Sequence, residues 1–141
     1  MSTSAAAPVA TWVFDVDGCV VDSLLGTSLR PGARELFARL IERGVEVVWW
    51  SAGGEGYARA RAVRFDVEGL VTRFAEKDER DRDHRYVTEH LGIDVLRTVF
   101  VDDRPEDMPI GADVIAVAPY LIENPRDRGL MRAAERAGLE P

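Results

Sequence analysis

Short apolar runs that end in a carboxylate or a hydroxyl recur along this chain, with helix-length segments between them. Residues 11–17 read TWVFDVD, 45–50 read VEVVWW and lead into Ser51, 98–101 read TVFV and lead into Asp102 and Asp103, and 113–118 read DVIAVA. Runs this short and continuous describe strands buried on both faces, because a half-exposed strand alternates apolar with polar residues. Between the first two, Pro31 opens and Gly44 closes a segment in which Leu36, Phe37, Leu40 and Ile41 recur at helical spacing. Further helices are expected over about 56–65, 84–91 and 125–137, and a short strand over 70–74. Strands alternating with helices predict an α/β fold, a doubly wound three-layer α/β/α sandwich with a central parallel sheet and helices on both faces.

A length of 141 residues suits one such domain. It is expected over 11–141, with residues 1–10, small and without a basic residue ahead of an apolar run, as a disordered tail. No apolar run approaches the length of a membrane span. The lone Cys19 rules out an internal disulfide and points to a reducing compartment, the cytoplasm. Twenty-five acids against eighteen bases, a net charge of −7, argue against a general nucleic-acid scaffold while leaving room for a local basic patch.

Ligands of doubly wound sheets bind at the carboxyl ends of the strands, where Asp15, Asp17, Ser51, Asp102 and Asp103 all fall. Alternation lets Asp15 and Asp17 face one pocket while Val16 points into the core. With Asp107 just beyond Asp103, the carboxylates would repel one another, and burying them is costly unless a cation joins them. Ligands that are all oxygen call for a hard cation, and Mg2+ is expected. Such a site suits phosphoryl transfer, since the metal offsets repulsion between an anionic nucleophile and an anionic phosphate. Ser51 can donate to a phosphate oxygen, and the amides of Ala52, Gly53 and Gly54 can approach one closely. Lys77 is the only lysine, the other seventeen basic residues being arginine, which marks a place for a compact point charge. As part of a charged loop serving a polar cleft, it is expected to be removable at little cost to stability. Arg104, with Arg59, Arg61 and Arg64, could form a basic rim. Trp49 and Trp50 should enter opposite layers, and His84 and His90 read as surface residues rather than ligands.

At these residues the chain resembles the haloacid dehalogenase-like superfamily, whose phosphatases carry four motifs in this order. FDVDG at 14–18 matches an apolar strand followed by Asp-x-Asp-Gly, and VVWWS matches a strand ending in Ser51. Lys77 matches the upstream lysine, and VFVDDRPED at 99–107 matches the late acidic motif. The resemblance implies that Asp15 attacks phosphorus to form an aspartyl-phosphate, and that Asp17 is the general acid and base. It implies that Ser51 and Lys77 bind phosphoryl oxygens. Mg2+ would be held by the Asp15 carboxylate, the Asp17 carbonyl and Asp103, with Asp102 or Asp107 assisting. Cys19 departs from the family pattern, which has threonine after the glycine. Neither the stretch from Asp17 to Pro31 nor that from Ser51 to Lys77 has room for a cap domain. A capless site admits a phosphorylated small molecule, a nucleotide or a nucleic-acid end, or leaves its cover to a partner subunit, as in a homodimer. KDERDRDHRY and VDDRPED look somewhat like the phosphatase part of polynucleotide kinase-phosphatases, so a polynucleotide 3′-phosphatase is one alternative. A non-catalytic phospho-acceptor or binding module is the other, but in receiver-type acceptors the acidic pair comes early and the lysine late, the reverse of this order.

Overall fold

The computed structural model describes residues 8–78, 86–109 and 111–139. The apolar runs become β1 (Thr11–Asp15), β2 (Glu46–Ser51), β3 (Arg73–Glu76), β4 (Thr98–Asp102) and β5 (Asp113–Ala116). Between and after them come the helices α1 (Ala33–Glu42), α2 (Glu55–Arg64) and α3 (Gly129–Arg136). Every strand pair is parallel, in the order β3-β2-β1-β4-β5. The chain steps outward from β1 to β3, then returns to lay β4 on the other side of β1. That reversal opens a crevice at the carboxyl ends of β1 and β4, the place where such sheets take ligands.

Strand alternation divides the interior into two cores. Trp12, Phe14, Val47, Trp49, Val99 and Val101 pack against α1, α2 and α3, with Phe37 set edge-on between Phe14 and Trp49 at ring distances of 5.0 and 5.7 Å. Val13, Val48, Trp50 and Phe100 face the other way, onto Val87, Ile93 and Met108. Trp49 and Trp50 therefore do enter different cores. All three α-helices lie on the first face. Among the described residues, the second face is covered by the π-helical turn Tyr86–His90 and its neighbours, so the third layer is thin. His84 lies outside the described residues, and His90 is an exposed residue stacked on Tyr86.

Several boundaries move for local reasons. Glu68–Leu70 forms a 3-10 turn, which delays β3 to Arg73. α3 starts later than 125 because Asn124 and Asp127 form turns, the Asp127 carboxylate accepting the Gly129 N–H at 2.9 Å. Ile41 sits at the edge of the α1 stripe, 39% exposed, while Leu36, Phe37 and Leu40 are buried. Residues 1–7 of the expected tail lie outside the described residues, but its last part is tied down. Pro8 accepts from Arg97 Nε at 3.0 Å, and the Ala10 backbone bonds to both Arg97 and Glu46.

Candidate active site

β1 and β4 end side by side and bring three carboxylates together: Asp15, Asp102 and Asp103 each offer an oxygen within 4.8 Å of the others. Gly18 lets the chain beyond β1 close over them. Its φ is +82°, and a Cβ there would stand 2.8 Å from Asp103 Oδ2, so both its conformation and its lack of a side chain are required.

Lys77 enters from the far side. Its N–H bonds to the Ser51 carbonyl at 2.9 Å, which prolongs the β2–β3 pairing by one residue. Its ammonium lies 2.9 Å from Asp102 Oδ2 and 3.9 Å from Asp15 Oδ1. Lys77 is only 6% exposed and Asp102 not at all. The expectation that this lysine could be removed at little cost therefore fails: it is half of a buried ion pair, and breaking such a pair strands the remaining charge. The other Asp102 oxygen accepts the Arg104 N–H at 2.7 Å.

Asp103 is different. Its Oδ1 is buried and has no hydrogen-bond partner among the described residues, and a buried carboxylate oxygen left bare is a costly arrangement. Burial, then the charge of Asp102, with Asp103 adding, pushes Asp15 up to about 8, although Lys77 pulls the other way. Burial likewise raises Asp102, with Lys77 opposing. A cation among the three carboxylates would offset their mutual repulsion and return Asp15 to its ionised form, so the donor set fits a hard divalent ion.

The Asp17 carboxylate is not part of that cluster. The Tyr57 hydroxyl, from the first turn of α2, lies 2.9 and 2.8 Å from its two oxygens. Burial first, and then Asp17, keep the Tyr57 phenol above its ordinary range and so protonated. Ser51, at the end of β2, is buried, and its Oγ accepts the Gly53 N–H at 3.0 Å, while its carbonyl accepts from Gly54. Ala52 and Gly53 are exposed on this turn, and Arg104 is exposed after β4. Asp107 follows in the 3-10 turn Pro105–Asp107; its side chain lies outside the described residues. The arginines of α2 are engaged within the protein. Arg59 pairs with Glu55 and lies over Phe74, Arg61 lies over Tyr57 and donates to the Gly26 carbonyl, and Arg64 lies over Phe65.

Cys19 is buried, and its thiol lies 3.5 Å from the Val101 carbonyl on β4. Burial pushes that thiol well above its usual range, so it remains a neutral donor and ties the loop after β1 to β4.

Three supporting residues escaped the sequence reading. One is Tyr57, whose position in a helix reads as packing. Asp22 accepts from the amides of Leu25, Gly26, Thr27 and Ser28 and from the Ser28 hydroxyl, at 2.7–3.0 Å. Burial alone would raise it, but these bonds, led by Ser28, hold it below its ordinary value. The Ser, Gly and Thr that follow Asp22 mark a turn-rich segment in the sequence, but not that the Asp22 carboxylate closes it. The third is Arg30, 1% exposed, whose guanidinium joins Asp127 at 2.7 Å to the carbonyls of Cys19 and Ala118. Nothing local in the sequence links Arg30 to a partner 97 residues away.

The model of the NLI interacting factor-like phosphatase family matches residues 7–137. No curated protein matches the chain. Among solved structures, the core domain of a provisionally assigned phosphoglycolate phosphatase from Streptococcus pneumoniae is similar, with a TM-score of 0.62 at 16% identity over 96% of this chain and 100% of that one. The cobalt-bound deoxy-D-mannose-octulosonate 8-phosphate phosphatase of Haemophilus influenzae gives 0.59 at 14% identity over 91% and 86%. An uncharacterised protein of Corynebacterium glutamicum gives 0.58 at 20% identity over 94% and 98%. At these identities the likeness shows a shared fold. With the family model spanning nearly the whole chain and the four motifs in place on that fold, the chain belongs to the NLI interacting factor-like phosphatase family and is a capless phosphatase of the haloacid dehalogenase-like superfamily.

Proposed function

We propose that this phosphatase is a magnesium-dependent phosphomonoester hydrolase that forms an aspartyl-phosphate on Asp15. The observation that carries the reading is the cluster of Asp15, Asp102 and Asp103, in which Asp102 is paired with Lys77 and Asp103 Oδ1 is buried without a hydrogen-bond partner among the described residues. Among the described residues, the negative charge of the three acids exceeds what Lys77 offsets, and that excess falls beside Asp15.

The carboxylates of Asp15 and Asp103 and the Asp17 carbonyl would hold Mg2+, with Asp102 and Asp107 in support. When bound, the ion supplies positive charge against the phosphoryl oxygens and keeps Asp15 ionised. An Asp15 oxygen attacks phosphorus and the bond to the leaving oxygen breaks, while Asp17 gives that oxygen a proton. Asp17 then takes a proton from water, whose oxygen attacks phosphorus and breaks the bond to Asp15, releasing inorganic phosphate. Lys77 and Ser51 hold the phosphoryl oxygens through both steps.

The arginines of α2 are drawn onto their own protein rather than fanned out as a rim. With the net charge of −7, this favours a phosphorylated metabolite or nucleotide over a polynucleotide end. A divalent ion bound in a neighbour of the same fold is consistent with the metal assignment. The test is a panel of phosphorylated metabolites, nucleotides and 3′-phosphorylated oligonucleotides, with Mg2+ and with chelator. Turnover that requires Mg2+ and prefers small esters supports the reading. Full activity after exhaustive chelation contradicts the metal mechanism, and a strong preference for the oligonucleotides contradicts the substrate class.

A further inference from the structure

We propose that Tyr57 is the positioning residue for Asp17, holding its carboxylate over the leaving oxygen; this rests on the acid–base role given to Asp17 above. Asp17 lies just beyond the end of β1, where its backbone is held by a bridge to Val21, but its side chain can still turn about two bonds. Among the described residues, the Tyr57 hydroxyl is the hydrogen-bond donor to its carboxylate, and it meets both oxygens. A donor shared between the two oxygens fixes the plane of the carboxylate. It also leaves the outer lone pairs, of the roughly four that a carboxylate offers, free to receive or return a proton.

The ring is itself held on both sides. On one, Gly53 leaves room for it, since a Cβ there would come within 3.0 Å of the ring. On the other, the Arg61 guanidinium lies 5.0 Å from the ring centre and donates to the Gly26 carbonyl at 3.2 Å. Gly26 is in turn fixed through its N–H to Asp22. Tyr57 thus stands between the turn after β2 and the loop before α1, and it is aimed at Asp17, whose carboxylate is not among the three that cluster. A phenol suits this place better than a lysine or arginine. It orients the carboxylate without adding a full positive charge beside a group that must exchange protons.

Tyr57→Phe keeps the ring and its packing and removes only the hydroxyl. The measurement is kcat/KM with Mg2+ on an alkyl phosphate and on p-nitrophenyl phosphate, since this parameter reports the step that forms the aspartyl-phosphate. An alkoxide needs protonation to leave, whereas nitrophenolate does not. The variant is expected to lose about 10–100-fold on the alkyl ester, the scale of a misplaced catalytic group, and much less on the aryl ester. In an Asp17→Asn background, Tyr57→Phe should cost nothing further, because the two act as one unit. Equal losses on both esters, unchanged rates, or an additive loss in the Asp17→Asn background would overturn the assignment. Those results concern Tyr57 alone, whereas a wild-type protein that hydrolyses no phosphate ester would overturn the acid–base reading together with it.

Discussion

Asp15 is under two conflicting demands. To attack phosphorus as proposed it must be ionised, yet burial and its acidic neighbours raise it from an ordinary 3.8 to about 8, and Lys77 offsets only part of that. The conflict has a thermodynamic signature in the metal-free protein. Between the two values the folded state holds a proton on Asp15 that the unfolded chain has released. The contribution of Asp15 to stability is therefore full below about pH 4 and is lost as the pH rises through about 8. If Mg2+ binds here as proposed, it binds the ionised form, so its stabilising effect should grow over the same window. Thermal unfolding from pH 5 to 8, with and without Mg2+, tests this against Asp15→Asn, which has no such proton to lose. Without metal, the wild type should lose stability relative to Asp15→Asn as the pH rises, and Mg2+ should reverse the trend. Parallel curves for the two proteins would mean that Asp15 is ordinary.

At the level of the elements, the site is fastened by a side chain that crosses the sheet. Lys77 follows β3, yet its ammonium passes 5.8 Å from the Trp50 ring and reaches Asp102 at the end of β4, two strands away from the β2 end it bonds. The pair joins the strands on either side of the cleft and is buried. Lys77→Met should therefore destabilise the protein by about 3–5 kcal/mol, less to the extent that Asp102 takes up a proton. Adding Asp102→Asn should restore part of that loss, as chemical denaturation can measure, and two fully additive losses would argue against the pairing. The sequence shows why this pair is hard to foresee. Lys77 is conspicuous by its uniqueness, but the charged residues that follow it suggest solvent, and its partner is 25 positions away. The strand runs, by contrast, are legible because burial on both faces leaves continuous apolar stretches. β3, with Arg73 and Glu76 on the sheet edge, lacks that signal, and its start is misplaced accordingly.

Across the whole molecule, the four motifs could be read from the chain because each lies at the carboxyl end of a strand, where the fold concentrates chemistry. The supports around them could not. Arg30 with Asp127, Asp22 with its ring of amides, and Tyr57 with Asp17 are tertiary contacts or turn geometry, without a repeating pattern in the sequence. They nonetheless hold the loop after β1 and the side chain of Asp17, while Asp15 is placed by its own strand. Central to this account is a phosphoryl group carried on Asp15. An acyl phosphate is reduced by borohydride to an alcohol, so an aspartyl-phosphate leaves homoserine in its place. The direct measurement is peptide mass analysis after the protein is mixed with an accepted phosphate ester, quenched in acid and reduced. Homoserine at position 15, formed with Mg2+ and absent with chelator, is the predicted result. Continued hydrolysis with Asp15 unmodified, or with the label on another residue, would contradict it.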